Sequence, residues 1–101
     1  MATLSTHVLD TAAGRPAAGI AVQLFSPDGS VLDSGTTNDD GRVPSLGGEL
    51  APGDYVLRFA VSGVFFPEVV VVFTIAGGEA DRHHHVPLLL SPYGYSTYRG
   101  S

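Results

Sequence analysis

The side chains able to exchange a proton near neutral pH are four histidines, His7, His83, His84 and His85, because imidazole is the group whose ordinary pKa lies in that range. Three of them are consecutive, so on a strand His83 and His85 share one face and His84 takes the other. A pair at i, i+2 can bind zinc with His7 as a third ligand, but no cysteine or carboxylate lies within that strand, Asp81 in the preceding loop being the nearest acid. Without a metal, the same imidazoles can take and return a proton, while a fixed guanidinium such as Arg42 or Arg99 steadies negative charge growing on an oxygen. Each residue also has a plainer reading. His7 reads equally as a strand histidine with a satisfied ring, Arg42 as a solvated side chain after a turn, and Arg99 as the partner of a carboxylate. The sequence has no G-x-S-x-G elbow and no glycine-rich strand-to-helix loop, so neither a serine nucleophile nor a phosphate cradle is supported.

The elements that must position these groups read as strands. Residues 3–10 alternate and carry His7. Residues 11–16 (TAAGRP) are a turn, and residues 19–25 form a second strand with Ile20, Val22 and Leu24 on one face. SPDG (26–29) turns into a more polar strand over 30–37, expected at an edge. NDDG (38–41) turns directly into Arg42, and residues 43–53 are irregular. Residues 55–61 place Tyr55, Leu57, Phe59 and Val61 on one face. A tight connection over 62–65 leads into residues 66–76, the most hydrophobic strand. With Val69, Val71, Phe73 and Ile75 on one side and Val70 and Val72 on the other, this strand is expected to be buried on both faces or to meet another subunit. After a polar loop (77–82), strands over 83–90 and 95–100 enclose an SPYG turn (91–94). The chain is therefore expected to end inside the fold, so that its last residues can belong to a site. No capped helical stretch appears. Short strands at regular spacing argue for an all-β sandwich of about seven or eight strands.

Bulk properties narrow the function classes. The 101 residues suffice for one small domain, residues 1–101. With no cysteine, disulfides and thiolate metal sites are excluded. The net charge is -5 and lysine is absent, so no basic patch for nucleic acid is expected. The longest apolar run, residues 69–73, is far short of a membrane span. The start MATLSTHVLD lacks the features of a signal peptide, and the expectation is a soluble, cytoplasmic protein. Charged residues make up only 15% of the chain, leaving little polar surface to cover a small domain. Self-association is expected.

The tail HHHVPLLLSPYGYSTYRGS (83–101) resembles the closing signature of the 5-hydroxyisourate hydrolases, the transthyretin-related enzymes of urate degradation: H-x-H-V-P-L-L-L-S-P-x-G-Y-S-x-Y-R-G-S. LSTHVLDTAAGRPAAGI (4–20) resembles that family's opening strand and turn, NDDGR (38–42) its arginine segment, and FFPEVVVVF (65–73) the entry to its penultimate strand. The middle pattern is shared with carboxypeptidase-regulatory-like β-sandwich modules. The terminal Y-R-G-S distinguishes the hydrolases from transthyretin, the hormone carrier.

The resemblance implies a transthyretin-like (prealbumin-like) two-sheet sandwich. The family's short helix is expected to be missing, since only residues 62–65 fill the segment that usually holds it. It implies hydrolysis of 5-hydroxyisourate to 2-oxo-4-hydroxy-4-carboxy-5-ureidoimidazoline, with no metal or cofactor. Carried over position by position, His7, Arg42, His85 and Ser101 are the catalytic residues, and His7, Arg42, Tyr98 and His83 bind substrate. The C-terminal carboxylate is a further acceptor. His84 stands where the family usually has tyrosine. The implied assembly is a homotetramer, a dimer of dimers, with sites at the interface between dimers. Two other readings remain: a non-catalytic transthyretin-like carrier with an aromatic ligand in an apolar channel, and a monomeric structural module whose tail is dispensable.

Overall fold

The computed structural model describes residues 1–101. Nine strands follow one another: β1 (Thr3–Asp10), β2 (Arg15–Pro16), β3 (Ala21–Phe25), β4 (Val31–Thr36), β5 (Arg42–Val43), β6 (Gly53–Ala60), β7 (Val69–Ile75), β8 (His83–Ser91) and β9 (Gly94–Thr97). Two of them, β2 and β5, are two-residue pairings on β1, which is why the chain pattern suggested only seven or eight. There is no α-helix, and a 3₁₀ turn at Gly77–Glu79 interrupts the loop before β8. The connection expected to be tight is so: Ser62 adopts φ 53°, its N–H donates to the Pro67 carbonyl at 2.9 Å, and the Gly63 N–H donates to the Phe66 carbonyl at 3.1 Å.

The strands form two sheets, one five-stranded in the order β2-β1-β8-β9 with β5 also on β1, the other in the order β4-β3-β6-β7. β1 and β8 are parallel neighbours. A parallel pair needs a long crossover, and here the whole second sheet supplies it. The first and eighth strands therefore meet although Ser5 and His85 are 80 residues apart in sequence.

Period-2 alternation decides which side chains are sealed between the sheets. From β1, Leu4, Thr6 and Val8 are buried; from β8, His84, Val86 and Leu88 join them. Val22, Leu24, Tyr55, Leu57, Phe59, Val69 and Ile75 line the facing sheet. Each large apolar side chain buried this way contributes about 1.5–3 kcal/mol. β4 lies at a sheet edge, as its polarity suggested. β7 is also an edge, and within the single chain only one of its faces is covered: Val70 is 49% and Val72 is 67% exposed. Burial on both faces, one of the two expectations for this strand, does not hold within one copy, because no element lies over its outer side.

Candidate active site on the outer face of the five-stranded sheet

The alternation that buries Leu4, Thr6 and Val8 turns Thr3, Ser5 and His7 to the opposite, outer face of the sheet. On β8 the same rule turns His83 and His85 outward. The β1–β8 register places Thr3 beside His83, Ser5 beside His85 and His7 beside Pro87. On the other flank of β1, His7 pairs with Arg42 and Thr6 with the buried Val43. His7 therefore sits between Arg42 and the histidines of β8.

The NDDG turn fixes Arg42. Asn38 Oδ1 accepts from the N–H groups of Asp40 and Arg42 at 2.9 and 3.0 Å, and the Asn38 N–H donates to the Arg42 carbonyl at 2.9 Å. Gly41 has φ 74°, and a Cβ there would collide with the Val8 carbonyl oxygen; only glycine lets the turn lie flat on β1. The same turn holds His7, whose Nε2 is 2.8 Å from the Asp40 carbonyl oxygen. A carbonyl only accepts, so this Nε2 carries hydrogen and Nδ1 keeps the lone pair when the ring is neutral. The Arg42 guanidinium has no carboxylate partner, the chain's ion pairs being elsewhere.

Ser5 joins the two outward histidines of β8. Its Oγ lies 2.7 Å from His85 Nδ1 and 2.7 Å from His83 Nε2. The far side of the His83 ring, Nδ1, is 2.6 Å from Thr3 Oγ1. His85 is half-buried, and its pKa is held below the ordinary imidazole value, first by burial and then by the nearby charges of Arg42, His7 and His83. Those charges place the four groups in one electrostatic neighbourhood, and together with burial, the larger cause, they favour the neutral ring that can accept a proton.

The end of the chain lies against His85. The Gly100 N–H donates to the His85 carbonyl at 2.8 Å, forming an isolated bridge. A Cβ on Gly100 would stand 2.5 Å from His85 Cδ2, so the missing side chain is what allows the approach. Ser101 borders a cleft of about 380 Å³ with Arg82, His83, Arg99 and Gly100. Tyr98 lines a second cleft, about 310 Å³ between β7 and the β8–β9 hairpin, which His85 also borders. Neither His7 nor Arg42 lines any cleft of the single chain; the outer face is open.

His7, Arg42, His83 and His85 thus come together, with Ser101 at the His83 end and Tyr98 in a cleft that His85 also borders. Arg99, a candidate from its type alone, forms an ion pair with Glu79 that raises its pKa and lowers that of the carboxylate. His84 points into the core with its Nδ1 3.1 Å from the Arg82 carbonyl. Zinc binding by His83 and His85 with His7 finds no support in the geometry, since Thr3 and Ser5 take up both nitrogens of His83 and no three His, Asp or Glu side chains are grouped as one ion would need them. Reading the sequence missed Ser5, Thr3 and Gly100. The signal for the first two was present: residues 3, 5 and 7 share a face of one strand.

The model of the HIUase/Transthyretin family matches residues 4–100. A relative from Caulobacter vibrioides, named 5-hydroxyisourate hydrolase, is 46% identical over 116 aligned positions spanning the whole of both chains. Among solved structures, 5-hydroxyisourate hydrolase of Klebsiella pneumoniae superposes with a TM-score of 0.88 at 37% identity over the full length of both chains. Sea bream transthyretin, solved in complex with thyroxine, gives 0.85 at 28% identity, covering 96% of this chain and 93% of that one. With the family model matching nearly the whole chain and a relative 46% identical over its full length, the chain belongs to the HIUase/Transthyretin family.

Proposed function

We propose that the chain hydrolyses 5-hydroxyisourate to 2-oxo-4-hydroxy-4-carboxy-5-ureidoimidazoline through acid–base chemistry on the outer face of the five-stranded sheet. The observation that carries this is the register that sets His7 opposite Arg42 and beside the Ser5–His85 pair. A bound water attacks the ring carbonyl as His85 Nε2 takes its proton. His7, held by Asp40, orients the water with its free Nδ1. The carbonyl oxygen becomes an oxyanion, and Arg42, having no carboxylate to neutralise it, donates hydrogen bonds there. Such a donor is worth about 3 kcal/mol in the transition state, and the positioned base about 10²–10⁴-fold in rate. The tetrahedral carbon then expels the ring nitrogen, which receives a proton from His85, and the product acid ionises to water. Ser101 and Tyr98 bind the heterocycle.

Because His7 and Arg42 stand on an open face, the proposal includes closure by a second copy of the chain, in a homotetramer acting in the cytoplasm in urate breakdown. The exposed valines of the β7 edge are a second surface suited to self-association. A carrier would want an apolar channel wall with few convergent polar groups, whereas His7, Arg42, His83 and His85 converge here. The test is to generate 5-hydroxyisourate from urate with uricase and follow its ultraviolet decay. Acceleration by catalytic amounts of the protein supports hydrolysis, and decay at the uncatalysed rate rejects it.

A further inference from the structure

We propose that Thr3, His83 and Ser5 form a proton relay that serves His85, so that His85 acts as base and acid without ever becoming an imidazolium. The inference presupposes the hydrolysis proposed above and assigns Ser5, His83 and Thr3 as positioning residues of that reaction. It replaces the substrate-binding role that the family resemblance implied for His83.

The geometry is an unbroken line of hydrogen bonds. Thr3 Oγ1 to His83 Nδ1 is 2.6 Å, His83 Nε2 to Ser5 Oγ is 2.7 Å, and Ser5 Oγ to His85 Nδ1 is 2.7 Å. Ser5 has one hydrogen and sits between two ring nitrogens, so it donates to one and accepts from the other. The line therefore has two polarities. In one, both rings carry hydrogen on Nδ1, and His85 Nε2 presents a lone pair to the site. In the other, both carry it on Nε2. His83, at the far end, is exposed.

The steps balance. His85 Nε2 takes a proton from the attacking water as an O–C bond forms. In concert, His85 Nδ1–H passes to Ser5, the Ser5 hydroxyl hydrogen passes to His83 Nε2, and His83 Nδ1–H leaves by Thr3 to water. When the C–N bond breaks, the line runs backward and returns one proton to the leaving nitrogen through His85 Nε2. The second hydrogen of the attacking water stays on the product carboxyl until it ionises. The surroundings explain why such a line is needed. The charges of Arg42, His7 and His83 act on half-buried His85, and the tail covers it with the uncharged Gly100, while Arg82 and Arg99 at the His83 end are both paired with Glu79. A charged imidazolium among these groups is disfavoured, and a relay avoids forming one.

The test compares native protein with Ser5→Ala and Ser5→Thr in two measurements. The first is kcat for 5-hydroxyisourate in mixtures of light and heavy water. The relay requires a curved dependence on deuterium fraction in the native protein, reporting several protons in motion. Ser5→Ala should lower kcat by about 10–100-fold, less than loss of the base itself, with KM little changed and the dependence made linear; Ser5→Thr should restore both. Native kcat in Ser5→Ala, a linear dependence in the native protein, or equal losses in Ser5→Ala and Ser5→Thr would overturn the relay. The second measurement needs no activity: nitrogen-15 shifts of the two rings. The relay demands the same tautomer on His83 and His85 in the native protein, uncoupled in Ser5→Ala. Opposite tautomers in the native protein refute it even if hydrolysis is confirmed. Matching tautomers without acceleration of substrate decay would sustain the hydrogen-bonded line while rejecting the hydrolase reading, and with it the catalytic role of the line.

Discussion

Gly100→Ala is the sharpest probe of how the tail serves the site. The added Cβ would lie 2.5 Å from His85 Cδ2, 3.2 Å from Cγ and 3.3 Å from Cβ, where ordinary contact begins at 3.4 Å. Relief demands a shift of about 1 Å in either the imidazole or the tail. The backbone itself objects little, because Gly100 is not among the glycines with positive φ. If the tail yields, the bond from the Gly100 N–H to the His85 carbonyl weakens, a loss of about 1 kcal/mol at most. For a domain of this size that is about 4–8 °C in Tm. Activity should suffer far more, since a misplacement of about 1 Å can cost around 10²-fold when groups must be aligned. The assays are calorimetry for Tm and stopped-flow ultraviolet decay of 5-hydroxyisourate for kcat/KM. Gly77→Ala is the control, since a Cβ there meets nothing within 4 Å. Native activity in Gly100→Ala, or an equal loss in Gly77→Ala, would refute the claim that close packing of the tail on His85 sets the geometry.

His7→Ala and Arg42→Ala each remove a side chain from the outer face and none from the core, so circular dichroism should show a folded protein while kcat/KM falls about 10²-fold or more; unimpaired turnover in both variants would sink the site assignment. Burial first and Arg42 second depress the His85 pKa, so the fold favours the neutral ring; the associated stability is complete above the ordinary imidazole pKa and is lost as pH falls through the depressed one. Arg42→Met removes the second cause and leaves the first, and the His85 titration followed by NMR should move partway back up in pH; an unmoved titration contradicts the coupling. Val72→Glu places a charge on the exposed face of the β7 edge, and sedimentation should show a smaller species than the tetramer expected of the native protein; unchanged sedimentation would remove that face from the proposed contacts.

Much of this was legible in the chain because strand alternation is local. Leu4, Thr6 and Val8 inward, with His7 outward, follows from period 2 alone, and so does the split of His84 from its two neighbours. The NDDG turn before Arg42 and the SPYG turn at 91–94 are local chemistry as well. Pairing partners are not local. Nothing in either segment says that residues 3–10 lie parallel to residues 83–91, and Ser5 acquires its place between two rings only through that register. Gly100 read only as the last residue of the strand over 95–100, because the ring it packs on is supplied by another strand. The family resemblance located His7, Arg42 and His85, but a motif match carries no hydrogen bonds, and Thr3 and Ser5 entered only with the fold. Arg99 shows the converse: an arginine in a signature segment whose nearest charge is Glu79.

The most direct measurement is the position of a non-hydrolysable urate analogue in a crystal structure of the assembled protein. The account predicts the heterocycle on the outer face of the five-stranded sheet, with Arg42 donating to its oxygens and both His7 and His85 Nε2 within hydrogen-bond reach. An analogue seated instead beside Asp10, Val61 and Tyr95 in the cleft of about 290 Å³, out of reach of His7, Arg42 and His85, would contradict it.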